Sequence, residues 1–173
     1  LSTVLSPEPA GPANFERIAQ LTQKTNQFNL TTRRYTEQQI ADLAGRAGWR
    51  VLSIRVRDRF GDNGLVGVAI TQDSGEACEV DTFLLSCRVI GRTIESAFLA
   101  HLAQAARARG IRTLQGWFLP TKKNAPARDF YAQHGFQLAA RQGDASLWML
   151  DLTEARPACP QWIKITAANG DSR

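Results

Sequence analysis

"SCRVIGRTIESAFLAHLAQAARARG", residues 86–110, decides the fold. Ile94, Ala97, Phe98, His101, Leu102 and Ala105 fall on one stripe at helical spacing, and Gly110 stops the helix. Upstream, "CEVDTFLLSCRV" (78–89) reads as a strand, and downstream so does "RTLQGWFLP" (112–120). A strand, a helix and a strand in that order set the two strands side by side and parallel, with the helix across one face. Between the first strand and the helix, Arg88, Gly91 and Thr93 form an R-x-x-G-x-T turn. A helix N-terminus presents unpaired N–H groups and the positive end of a dipole. Gly91 lets backbone approach a ligand without a Cβ, and Arg88 and Arg92 add formal charge. The pattern suits a pyrophosphate or a phosphopantetheine arm. It is also the form of an ordinary strand–glycine–helix joint.

Outward from this unit, "FERIAQLTQKTNQF" (15–28) has helical spacing. "TEQQIADLAGRAG" (36–48) opens on a capping-box pattern, Thr36 with Gln39, and stops near Gly45 or Gly48. "NLTTRRY" (29–35), polar and basic, is the loop between these helices. "WRVLSIRVRDRF" (49–60) alternates as a strand, "GDNG" (61–64) signals a tight turn, and "LVGVAITQ" (65–72) returns as the hairpin partner. "DSGE" (73–76) turns into the strand at 78–89. "APARDFYAQHG" (125–135) is a short helix stopped by Gly135, and "FQLAARQGDASLWMLDL" (136–152) is two strands around "QGD". The order α α β β β α β α β β predicts an α+β domain around one mixed, mostly antiparallel sheet. The proline-rich "SPEPAGPAN" (6–14) reads as linker, so the expected division is linker 1–13, domain 14–155 and tail 156–173.

The chain has 173 residues, 43% of them hydrophobic, enough for one compact domain. Its net charge of +5 attracts anions: nucleic acid, a phosphorylated cofactor or an acidic protein. The basic residues are scattered and show no aromatic stacking pattern, which argues against nucleic acid. No apolar run approaches the roughly 18 residues of a membrane span, and the start lacks the pattern of a secretory signal. The three cysteines and two histidines show no metal-ligand spacing, so no metal site and no disulfide framework are expected. A reducing cytoplasm is the expected location.

"NAPARDFYAQHGF" (124–136) adds an Asn after a strand, a Tyr on the next helix and a Gly-Phe at the following strand. Together with R-x-x-G and the element order, it resembles the GNAT superfamily of acyl-CoA-dependent acyltransferases across roughly residues 15–152. The resemblance implies that the loop matching Arg88, Val89, Ile90, Gly91, Arg92 and Thr93 wraps the cofactor pyrophosphate. It implies a pantetheine arm in a V-shaped splay between the strands at 78–89 and 112–120, beside Leu85 and Asn124. Tyr131 matches the family's general acid to the leaving thiolate. Thr93 stands where the family has Gly or Ala, and its branched Cβ narrows the space for a pyrophosphate.

"QKTNQFNLTTRRYT" (23–36), "DRFGDNGLVGV" (58–68), "FLLSCRVIGRTIE" (83–95) and "PTKKN" (120–124) are similar to the C-terminal region of FkbH-like proteins. That resemblance implies a place in polyketide extender-unit biosynthesis, loading a glyceryl unit onto an acyl carrier protein on the way to methoxymalonyl units. It implies acyl-CoA or carrier-protein phosphopantetheine as the cofactor. It also implies an N-terminal haloacid-dehalogenase-like domain, whose D-x-D-x-T motif this sequence lacks, so the chain reads as a fragment or a stand-alone relative.

Three residues are candidates for chemistry. Tyr131 can act as general acid, or pack with Phe130 and Phe136. Asp81 can act as general base; Glu79, two residues earlier, reads instead as a hairpin ion pair with Arg55 or Arg57. Cys87, at the strand end beside Arg88, can accept an acyl group as a thiolate, or be a small buried hydrophobe. Arg33, Arg34, Lys122 and Lys123 would rim the acyl site and hold a substrate phosphate or carboxylate, or an acidic carrier protein, and Asn26 and Asn29 would line the substrate end. Their ordinary alternative is solvated surface charge and loop capping.

Overall fold

A computed structural model of the chain describes residues 3–166. The central unit folds as expected. Strand β5 (Ala77–Leu85) leads through a 3₁₀ turn (Cys87–Val89) into α3 (Ile94–Ala108) and on to β6 (Thr113–Phe118), parallel to β5. Around it lie β1 (Thr3–Pro9), α1 (Phe15–Lys24), β2 (Phe28–Asn29), α2 (Glu37–Ala44), β3 (Trp49–Asp58) and β4 (Gly61–Ser74). After β6 come α4 (Phe130–Gln133), β7 (Gln137–Gln142), β8 (Ala145–Asp151) and β9 (Ile163–Ile165). The sheet runs β7-β8-β6-β5-β4-β3-β1-β9 and is antiparallel except at β5–β6 and β1–β9. This is the mixed, mostly antiparallel α+β architecture expected.

The centre of the sheet is buried on both faces, while its edge strand β7 is exposed. Ile18 and Leu21 of α1 and Ile40 and Leu43 of α2 pack on Val51, Val68, Ile70 and Leu84. On the other face Phe98, Leu99 and Leu102 of α3 and Phe130 and Tyr131 of α4 meet Val56, Ala69, Val80 and Phe83. The Thr36–Gln39 capping box forms as read.

Three expectations are corrected. Much of the stretch read as a linker is β1, paired with β3 from Val4↔Arg57 to Pro9↔Leu52. Its prolines are tolerated because β9 borders only Thr3, Val4 and Leu5, leaving Pro7 and Pro9 on an open edge where no ladder donor is needed. The tail contributes β9 to the sheet, and its residues 167–173 lie outside the described residues. The β3–β4 reversal falls at Arg59–Phe60, since Asp58 pairs with Gly61. "GDNG" lies inside β4, where Gly64 (φ 73°) sits at a bulge between the pairs Arg57↔Asp62 and Arg55↔Leu65.

Candidate active site

Pairing between β5 and β6 runs from Ala77↔Thr113 to Val80↔Gly116 and then stops. Opposite β4, Asp81 is the extra residue of a bulge between the pairs Thr71↔Val80 and Ile70↔Thr82. The splay implied by the family resemblance is therefore present, but it is filled. The segment 28–31 runs into it: Phe28 and Asn29 pair with Leu85 and Leu84, and the Leu30 N–H donates to the Phe83 carbonyl at 3.2 Å. On the other side the Leu119 N–H donates to the Leu30 carbonyl at 2.9 Å. The Thr31 hydroxyl donates to the Asp81 carbonyl at 2.8 Å. The wedge belongs to the core: Phe28 stacks edge-on to Phe130, with centroids 5.6 Å apart, and Leu30 is 1% exposed.

This placement reassigns several candidates. Asn124 does not face a cofactor arm. It is fully buried, its amide donating to the carbonyls of Asn29 and Leu119 and its Oδ1 accepting from the Thr121 N–H, so it ties the wedge to the β6 end. Asn29 is likewise buried, donating to the Thr25 carbonyl and accepting from the Thr32 N–H. Leu85 already has Phe28 as its β partner, and Val89 is buried in the core. Arg34 caps the end of α1, donating to the carbonyls of Thr22 and Thr25, while its second guanidinium nitrogen holds Asn26 Oδ1.

Asp81 and Arg33 come together as an ion pair of 2.7 Å. The Tyr35 hydroxyl donates to the other Asp81 oxygen at 2.6 Å, and Thr82 donates to it at 2.9 Å. Burial, reinforced by the hydrogen bond to Asp81, pushes the Tyr35 phenol above its ordinary range. Both Asp81 oxygens are thus already engaged by donors from Arg33, Tyr35 and Thr82. Glu79 accepts from Gln115 at 3.2 Å. Tyr131 is 2% exposed, and its hydroxyl oxygen has no hydrogen-bond partner among the described residues. It sits under Gly116, where a Cβ would lie 2.1 Å from it. Desolvation and then the Glu79 charge raise its pKa. The hydroxyl is thus at the foot of the splay, sealed from solvent.

The outer mouth of the splay is open. Thr93 adopts a left-handed conformation (φ 60°) at the start of α3, and among the described residues no side chain caps that helix. Gly91 is exposed with φ 83°. Arg88 is exposed; Arg92 is instead paired with Asp58. Glu95, in the first turn of α3, has a buried carboxylate oxygen without a partner among the described residues. Beside Leu85, Ser86 and Cys87 opens a cleft of about 610 Å³, lined also by Arg17, Lys24, Asn26 and Lys123. It holds three cationic side chains and no acidic one. The Cys87 thiol is exposed at its edge. Lys122 is exposed. Arg17 and Lys24, on α1, were missed in the sequence, where they carry no signal beyond their charge, whereas Lys123 is one of the expected rim cations. Among the described residues, no group of three or more His, Cys, Asp or Glu is placed to hold a metal ion, and no helix is long and apolar enough to cross a membrane.

No known family's sequence pattern matches the chain, and no curated protein matches it. Solved structures do match. A GNAT-family acetyltransferase from Streptococcus pneumoniae superposes with TM-score 0.63 at 17% identity, over 85% of this chain and 98% of that one. The PaiA N-acetyltransferase of Thermoplasma acidophilum, in complex with coenzyme A, gives 0.64 at 13% identity, over 85% and 98%. The GNAT domain of PAT from S. lividans gives 0.65 at 17%, over 84% and 89%. The chain therefore has the GNAT fold.

Proposed function

We propose that this GNAT-fold domain is of the acyltransferase type and binds the phosphopantetheine end of an acyl thioester, on coenzyme A or on an acyl carrier protein, at the outer mouth of the splay. The observation that carries this reading is the cleft at Leu85–Cys87, whose charged lining is entirely cationic, followed in the chain by the left-handed start of α3 at Thr93. Backbone N–H groups at a helix start receive phosphate, and the cations draw it in. The thioester then lies along Ser86 and Cys87. The Cys87 thiolate attacks the carbonyl carbon, the carbon–sulfur bond to the arm breaks, and the departing thiolate takes a proton from solvent. An acceptor hydroxyl, amine or thiol then removes the acyl group and frees Cys87. Tyr131 has no part in this route, because its hydroxyl is sealed. In the FkbH-like setting the donor and acceptor belong to polyketide extender-unit synthesis, beside a dehalogenase-like domain; with an amine acceptor the same domain is an N-acetyltransferase.

One observation favours a second reading. The wedge at 28–31 fills the slot that the family resemblance reserves for the arm. A domain with that slot built over suits a non-catalytic dock for an acidic carrier protein.

Incubation with acetyl-CoA followed by intact-mass analysis tests both. An acetyl adduct that disappears in Cys87→Ser, with transfer to an added acceptor, supports the enzyme. Salt-sensitive binding of holo-carrier protein without adduct or turnover supports the dock. Absence of binding to both coenzyme A and holo-carrier protein at millimolar concentration overturns the proposal.

A further inference from the structure

At the other end of β5 lies a second cavity, of about 400 Å³, which none of the acyl chemistry uses. Cys78 lines this cavity and Leu85 lines the mouth cleft, seven residues or about 23 Å apart along an extended strand. We propose that this cavity, between α3 and strands β3–β5, is a separate binding site for a small carboxylate with an apolar body.

Its walls are apolar: Leu52, Ala69, Leu102 and Ala105 line it. Pocket sites of this size commonly combine such walls with a few fixed polar groups. Here the polar groups are Arg50, Thr71, His101 and Arg109, with Asp73 between the two arginines. Arg109 grips Asp73 through Nε at 2.9 Å and Nη2 at 3.0 Å, which uses one guanidinium on one carboxylate. Arg50 only approaches the same carboxylate, at 3.7 Å, and its side chain is 52% exposed. Its donors therefore remain available, and the rim carries one positive charge in excess. A carboxylate suits it because a planar guanidinium can hold two oxygens at once.

The surroundings do not oppose an anion. Burial, and then Asp73, push the Cys78 thiol up to about 11, so its sulfur is neutral near pH 7. The last carbonyls of α3 are already met by the N–H groups of Arg109, Gly110 and Ile111, which blunts the negative end of the helix beside the cavity.

Calorimetric titration with octanoate tests the proposal, with octanol as the neutral control. Octanoate is expected to saturate one site and to bind about tenfold more tightly than octanol, the contribution of a charge-assisted hydrogen bond. Arg50→Gln, a change on an exposed side chain, should remove that advantage while leaving octanol binding unaltered. Ala105→Leu should block both ligands by filling the cavity. Coenzyme A should leave octanoate affinity unchanged, whether or not the acyl reading holds. Failure of octanoate to saturate, equal octanoate affinity in wild type and Arg50→Gln, or displacement by coenzyme A overturns it.

Discussion

The two halves of β5 carry opposite lessons about one edge. From Ala77 to Val80 that edge is held by β6, in parallel pairing. Past the Asp81 bulge it is held by a segment from some fifty residues earlier in the chain, in antiparallel pairing. The first half is a strand beside its sequential partner. The second half is a gap between strands into which the chain has folded an aromatic and an aliphatic anchor, Phe28 and Leu30. Strands that part company are therefore not the same thing as an open slot. The difference lies in whether the filler is core or lid, and burial places Phe28, Asn29 and Leu30 in the core.

The sharpest way to break this contrast is Phe28→Ala. Removing a buried ring from the Phe83–Phe130 cluster should cost about 3–5 kcal/mol, read by denaturant unfolding. A loss below about 1 kcal/mol would mean that the wedge is a loosely seated lid. Asn124→Ala comes next. It leaves the carbonyls of Asn29 and Leu119 and the Thr121 N–H unpaired in a buried site, for about 2–3 kcal/mol. Gly116→Ala probes the zipped half. Its methyl would collide with Tyr131, and a cost of about 1–3 kcal/mol is expected from overpacking. Tyr131→Phe should not destabilise the fold, because the hydroxyl it removes has no partner, and it should leave acyl transfer unchanged. A slowed transfer would show that the wedge opens far enough to expose that hydroxyl.

A smaller effect appears only in alkali. The folded-state pKa values of Tyr35 and Tyr131 are both raised above the ordinary value of 10.0, so the folded state holds their protons longer than the unfolded state does. Their contribution is complete below about pH 10 and is lost as the pH rises beyond it. Replacing both with Phe should flatten the fall of Tm with pH in that range; an unchanged profile would sink the assignment. Smallest of all, Arg92→Gln should leave the denaturant midpoint nearly unchanged, since its partnership with Asp58 is partly solvated.

Much of this molecule was legible from residue pattern. The β5–α3–β6 unit announced itself through period and punctuation, and the Thr36 cap through its spacing. The wedge did not, because two residues of strand carry no period and their reason for being extended is a partner at Leu84–Leu85. β1 hid behind prolines that are harmless only because β9 is short. Asn63-Gly64 was read as a turn because it supplies a positive φ, which a bulge needs just as much. At the site, strand alternation marks Asp81 as a general-base candidate, whereas its pairing with Arg33 and Tyr35 rests on a loop that composition alone shows as solvated charge.

The Trp162 indole, 61% exposed, donates its N–H to the Thr93 hydroxyl at 2.9 Å, at the very start of α3. A chromophore from the last strand's approach is thereby wired to the turn proposed to receive phosphate. Emission from Trp162, isolated by changing the other three tryptophans to Phe, would report an arriving phosphate without any attached dye.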